Sequence, residues 1–167
     1  MPKSAAHPNL KVIFIVAVLA LGGFVYLKNN QLSSNKTLSV QIQKTKTFKS
    51  SDVMDFNINT PTSFSIEEKF GQVTIKNTEG IITVDKIGSD YSDLKQHLSD
   101  KRIQILQKLS SVSEETIGGL ESISGYINNS KLYFIMSENR VYTLSTDSAS
   151  LYSTLDQIAH SFRYPPN

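Results

Sequence analysis

Residues 112–145 read VSEETIGGLESISGYINNSKLYFIMSENRVYTLS, four runs rich in β-branched and aromatic residues separated by clusters of turn formers. The runs fall at 112–117, 120–127, 131–136 and 140–145. Gly118-Gly119 tolerates the positive φ angles that a two-residue hairpin requires, and Asn128-Asn129-Ser130 and Glu138-Asn139 supply the next two reversals. Connections this short make the four strands sequential antiparallel neighbours, so this stretch predicts a meander.

Downstream, Thr146, Asp147 or Ser148 is placed to cap a final helix. Leu151, Leu155, Ile158, Ala159 and Phe162 recur along one face of it, and Pro165-Pro166 ends it. Upstream, Tyr91, Leu94, Leu98, Ile105 and Leu109 recur at helical spacing, with Ile103 and Leu106 widening the stripe. They predict an amphipathic helix over 90–109, capped by Ser89 or Asp90. Further upstream, shorter alternating runs predict strands at 55–59, 64–69, 72–77 and 81–87, with Pro61 interrupting the first and Gly71 and Gly80 marking turns. The expected fold is α+β, an antiparallel sheet with helices packed on it.

The N-terminal quarter is different. Residues 12–27, VIFIVAVLALGGFVYL, are sixteen consecutive residues without a charge, flanked by Lys3, Lys11 and Lys28. As a helix they span about 24 Å, short of the ~30 Å hydrocarbon core unless Leu10 and snorkelling lysines are counted. Ala20-Leu21-Gly22 has the form of a cleavage site, but Phe24, Val25, Tyr26 and Leu27 carry the apolar run beyond it. An uncleaved transmembrane anchor is therefore preferred to a signal peptide. A buried core helix fits poorly, because the run is apolar on every face and is followed by the polar, acid-free stretch KNNQLSSNKT. The organisation expected is a tail over 1–11, an anchor over 12–27, a lysine-rich linker over 28–51 and a single domain over 52–167.

Charge follows the same division. Up to Lys49 the chain carries seven lysines and no acid, and the remaining ten Lys and Arg face all fifteen Asp and Glu, leaving −5 for the domain. A mildly acidic domain is a poor match for the phosphate backbone, so nucleic acid is discounted as a partner. There are no cysteines, which excludes disulfides, thiolate metal sites and cysteine nucleophiles. The positive-inside bias does not fix orientation, since cations flank both ends of the apolar run.

The order of elements and three motifs resemble the PsbP-like domains, which include extrinsic photosystem II proteins and bacterial membrane-linked or secreted relatives. The motifs are Phe56-Asn57-Ile58-Asn59-Thr60-Pro61 with Phe64, the hairpin at Thr116-Ile117-Gly118-Gly119, and VYTLSTDSASLYSTLDQIAHSFRY over 141–164. The resemblance covers roughly residues 52–164. It implies an α-β-α sandwich, here preceded by one transmembrane helix, and an adaptor or assembly role rather than catalysis. With the short N-terminal tail, it also favours an extracytoplasmic domain in a bacterial envelope, with an envelope protein as partner. The chain lacks the Trp found in the first strand pair of the group, Phe64 standing in its place. The metal and photosystem contacts of plant members have no counterparts here.

Candidate chemistry is sparse. His97 and His160 have no second ligand at i+4, so neither reads as half of a helical zinc pair. His7 precedes the anchor. Glu67-Glu68 and Glu114-Glu115 lie on strands, where adjacent side chains point to opposite faces. No nucleophile elbow or phosphate loop occurs. No catalytic residue, cofactor or metal site is assigned. Tyr126, Tyr133 and Tyr142 stand on three successive strands, and either pave an exposed interaction face or pack under a helix, the second being favoured.

Three functions follow. The first is a membrane-tethered, non-enzymatic interaction module. The second is a small-molecule or lipid-binding domain with a pocket between sheet and helix. The third is an enzyme assembled from distant residues, which requires a cleft where His97 or His160 meets a carboxylate.

Overall fold

A computed structural model describes residues 44–165. The tail over 1–11, the anchor over 12–27 and the linker as far as residue 43 lie outside the described residues. Among the described residues, no helix is long and apolar enough to cross a membrane.

The fold is α+β and dominated by antiparallel sheet. Seven strands form one sheet in the order β3-β4-β5-β9-β8-β7-β6. They are β3 (Ser65–Lys69), β4 (Gln72–Asn77), β5 (Gly80–Gly88), β6 (Ser110–Ile117), β7 (Leu120–Ile127), β8 (Ser130–Ser137) and β9 (Arg140–Thr146). The meander expected from 112–145 is present as β6 to β9, joined to a second meander, β3 to β5, through the β5–β9 pair. A separate ribbon pairs β1 (Thr45–Lys49) with β2 (Asn57–Pro61).

Alternation along the strands divides the core in two. Val73, Ile75, Ile82, Val84, Tyr133, Ile135, Tyr142 and Leu144 face one way, toward β2 and the C-terminal helix. That helix, Tyr152–His160, is preceded by a 3-10 turn, Ala149–Leu151. Its expected stripe is fully buried: Leu151, Leu155, Ile158, Ala159 and Phe162 are all at 0% exposure. Ser148 stands at the N-terminal boundary but makes no side-chain cap; its hydroxyl donates to the Glu79 carbonyl at 2.8 Å. Phe134, Met136, Val141 and Ile123 face the other way, against a short helix α1 (Leu94–Ser99), leaving the helix over Tyr152–His160 as α2.

Three expectations are corrected. The helix drawn over 90–109 is one short helix, a turn and a 3-10 segment, Leu106–Lys108. Asp100 is the reason. Its carboxylate accepts from the Arg102 backbone at 2.7 Å, from Arg102 Nε at 3.0 Å and from Tyr91 OH at 2.5 Å, while its own backbone turns extended. A side chain that bonds the neighbouring backbone competes with the helical ladder, and here it wins. The periodic residues Ile105, Leu106 and Leu109 still pack on the second core.

The linker drawn to residue 51 is too long, because Thr45–Lys49 already form β1. Its sequence TKTFK carries a single large apolar residue, Phe48, whose ring meets that of Phe56 at a tilt, 6.4 Å between centres. Pro61 does not interrupt the second strand but closes it, opposite Thr45. A proline tolerates such a strand-end position because it has no N–H to contribute.

Candidate functional site

The three tyrosines share one face of the sheet, and α2 and β2 cover it. They do not pave an exposed surface. Tyr142 is fully buried between Phe56 and Phe162, and its hydroxyl donates to the Met54 carbonyl at 2.8 Å. Burial pushes its phenol up to about 12. Tyr133 is buried under α2, where its hydroxyl donates to Asp156 at 2.7 Å. Tyr126 is half-buried and meets the ring of Tyr152 edge-on at 5.5 Å. The interaction surface considered at Tyr126, Tyr133 and Tyr142 thus gives way to the favoured reading, packing under a helix, which describes Tyr133 and Tyr142. Period-2 alternation put them on one face, but that face belongs to the core.

Lys131 organises the space between two of them. Its ammonium lies 5.7 Å from the Tyr126 ring centre and 5.9 Å from those of Tyr133 and Tyr152, and 2.5 Å from Asp156. The three rings and one carboxylate form a cage filled by the chain's own lysine. This satisfies the half-buried cation internally and ties the start of α2 to β7 and β8.

The histidines diverge. His160 is exposed, with Nδ1 2.7 Å from the Asp156 carbonyl and Nε2 2.9 Å from Glu115. The Asp156 carbonyl raises its proton affinity most, burial opposes it, and the Glu115 carboxylate adds to the rise. A histidine–carboxylate pair is what the enzymatic reading required, but this one is fixed to a helix carbonyl on the exterior. His97 is buried on α1 beside the edge of Tyr91, its Nε2 without a hydrogen-bond partner, and burial lowers its proton affinity. The paired glutamates separate as alternation demands: Glu114 binds Lys95 on the α1 side and Glu115 meets His160 on the α2 side.

A pocket of about 290 Å³ lies between β5 and the α1 segment, lined by Ile87, Asp90, Tyr91, His97, Arg102 and Ile103. Arg102 is held at its mouth by Asp90 and Asp100.

The larger opening was not anticipated from sequence. The α1 segment covers the outer face of only the β6–β9 half of the sheet, so among the described residues the outer face of β3–β5 has no layer on it. Its side chains stand in register. One row runs Glu67, Thr74, Thr83, Ser145, and the next runs Lys69, Gln72, Asp85, Thr143. A depression of about 550 Å³ lies on it, bounded by Glu67, Lys69, Phe70, Gln72, Asp85 and Ile87.

Phe70 stands at the corner of this face. It is fully exposed and occupies the first position of the β3–β4 turn with φ 51°. The three hairpins of the β6–β9 meander place Gly118, Asn128 and Glu138 at the corresponding left-handed positions. A bulky residue there is strained and loses its apolar surface to water, so local stability does not explain it. Gly71 announces the turn in the sequence; the unusual residue before it was the available signal.

Neither the family models nor the curated proteins contain a match to this chain. Among solved structures, the chain is similar to a protein from Bacteroides thetaiotaomicron VPI-5482, with a TM-score of 0.52 and 16% sequence identity. The match covers 71% of this chain and 47% of that one, so the chain spans about half the length of the structure it resembles. At that identity the likeness concerns the fold alone.

Proposed function

We propose that this protein is a membrane-tethered, non-enzymatic interaction module of the PsbP-like, α-β-α kind. Residues 12–27 anchor it, the domain stands on the extracytoplasmic side of a bacterial envelope, and it docks an envelope partner through the bare outer face of β3–β5. Phe70 carries this reading: a fully exposed aromatic in a strained backbone position, at the corner of a sheet face that no element among the described residues covers. Tethering adds to it, because holding a weak binder near its partner raises the effective concentration without requiring tight contacts.

The test is a photo-crosslinking side chain placed at Thr74, on the bare face, and separately at Gln157, exposed on α2. Specific adducts in intact cells from position 74 and not from 157 are expected. Equal or absent labelling from both positions removes the reading. Protease digestion of the domain in intact spheroplasts checks its side of the membrane.

A second reading has one observation in its favour. The pocket between β5 and the α1 segment sits where a small-molecule site between sheet and helix is expected, at the lower end of ligand-pocket sizes.

A further inference from the structure

The interaction reading leaves open what the bare face of β3–β5 holds. On the basis of that reading, we infer that its ligand is a neutral, polyhydroxylated chain, a glycan strand, laid across the strands with one sugar ring against Phe70.

The arrangement of the face points to this class. A protein-binding surface has an apolar, desolvated centre and a polar rim. Here the order is reversed. The centre is a grid of hydroxyl, amide and charged groups, Thr74, Thr83, Ser145, Gln72, Asp85 and Thr143, while the large apolar groups Phe70, Ile81 and Ile87 stand at its corners. Adjacent members of a row are about 4.8 Å apart, each row offering donors and acceptors at every strand. Sugar hydroxyls, which both donate and accept, match such a row.

Charge narrows the class. The outer face of β3 to β5 carries Glu67 and Asp85 against Lys69 and Lys76, a net charge of zero. Glu67 and Lys69 neutralise each other at 2.7 Å, and Asp85 accepts from Gln72 at 2.6 Å. No excess field is left to hold a polyanion or an anionic lipid surface. The depression of about 550 Å³ is of ligand size and is bounded by Phe70. An exposed ring presents a negative π face, against which the C–H face of a pyranose stacks. That use accounts for an aromatic side chain at a turn position that favours Asn or Gly.

The experiment is isothermal titration of the full chain, in a detergent without sugar headgroups, with chitotetraose and cellotetraose, and with tetragalacturonate as the charged comparison. Saturable binding of a neutral tetrasaccharide is expected, weakened about tenfold in F70A and kept within about twofold in F70Y and F70W. Gln72→Ala is expected to weaken it severalfold, and tetragalacturonate to bind more weakly than either neutral ligand. Failure of both neutral tetrasaccharides to bind, or equal binding by F70A, overturns the inference. If they fail while the position-74 crosslinker captures a specific protein in cells, the glycan assignment falls and the interaction reading stands. If both experiments fail, the interaction reading falls with it.

Discussion

Glu115 Oε2 lies 2.9 Å from His160 Nε2, which fastens the edge strand β6 to the end of α2. His97, on the opposite face of the sheet, is buried and has no partner for its Nε2 among the described residues. The two histidines therefore respond to protons with opposite signs.

For His160 the folded protein raises the proton affinity, so its contribution to stability is complete below the ordinary value near 6.5 and disappears as pH rises through the raised folded value. His160→Gln is expected to lower stability at pH 5.5 by under about 1 kcal/mol, as for an exposed pair, and to leave it unchanged at pH 9. His97 is depressed by burial, with Arg102 opposing its charge and Asp100 and Asp90 favouring it. Its contribution is present above about 6.5 and is lost as pH falls, so His97→Leu flattens the acid limb of the profile. Urea melts of both variants across pH 5 to 9 check the signs.

Leu155 is at 0% exposure on α2, inside the main core. Leu155→Ala is expected to cost about 2–5 kcal/mol, and Leu155→Asp, which buries an unpaired carboxylate, to unfold the domain. Circular dichroism melts read both outcomes. A full, unshifted transition for the Asp variant contradicts the placement of α2.

Gly118 has φ +59°, and a Cβ there meets the Phe162 carbonyl at 2.7 Å; Gly119 has φ +85° and open space. Both substitutions to Ala pay the left-handed penalty of about 1–2 kcal/mol, but Gly118→Ala also pushes the end of α2 off the β6–β7 turn. The expected order of Tm is wild type, then G119A, then G118A.

Phe70→Asn relieves the left-handed strain at the β3–β4 turn and withdraws an exposed ring. It is expected to stabilise the domain by about 1 kcal/mol, a Tm rise of roughly 4 °C, while abolishing the stacking contact proposed for this face. Gain of stability with loss of binding in one variant separates the role of Phe70 from folding.

Much of the sheet is legible in sequence because its signals are local. Gly118-Gly119 and the Asn-rich turns set the meander's reversals, and the Leu155-centred stripe repeats at a clean helical period. The 90–109 segment misled for a specific reason: its apolar residues keep helical spacing on both sides of Asp100, and nothing local reveals that this carboxylate captures Arg102 and Tyr91. The tyrosines left two readings open because alternation assigns side chains to a common face without saying which face a distant helix will cover. The bare outer face of β3–β5 was invisible for the same reason, since it depends on how far the α1 segment reaches across the sheet. β1 was missed because TKTFK is nearly all polar and earns its place only by pairing with β2.

β1 is also the strand through which the chain enters the domain, and this has a mechanical meaning. Among the described residues it pairs only with β2, and it starts opposite Pro61, at the far end of the ribbon from the 50–55 loop. A pull on the N-terminal side of Thr45 thus opens the ribbon one pair at a time, like a zip, instead of shearing all five pairs together. β2 stays docked, because Asn57 and Arg163 exchange two backbone hydrogen bonds at 3.0 Å and the Asn59 amide donates to Ser161 at 2.8 Å. Five residues, about 17 Å of extended chain, are released in this way before force reaches the seven-stranded sheet. The ribbon is thus the first part of the domain to give way when the chain is drawn from its N-terminal side.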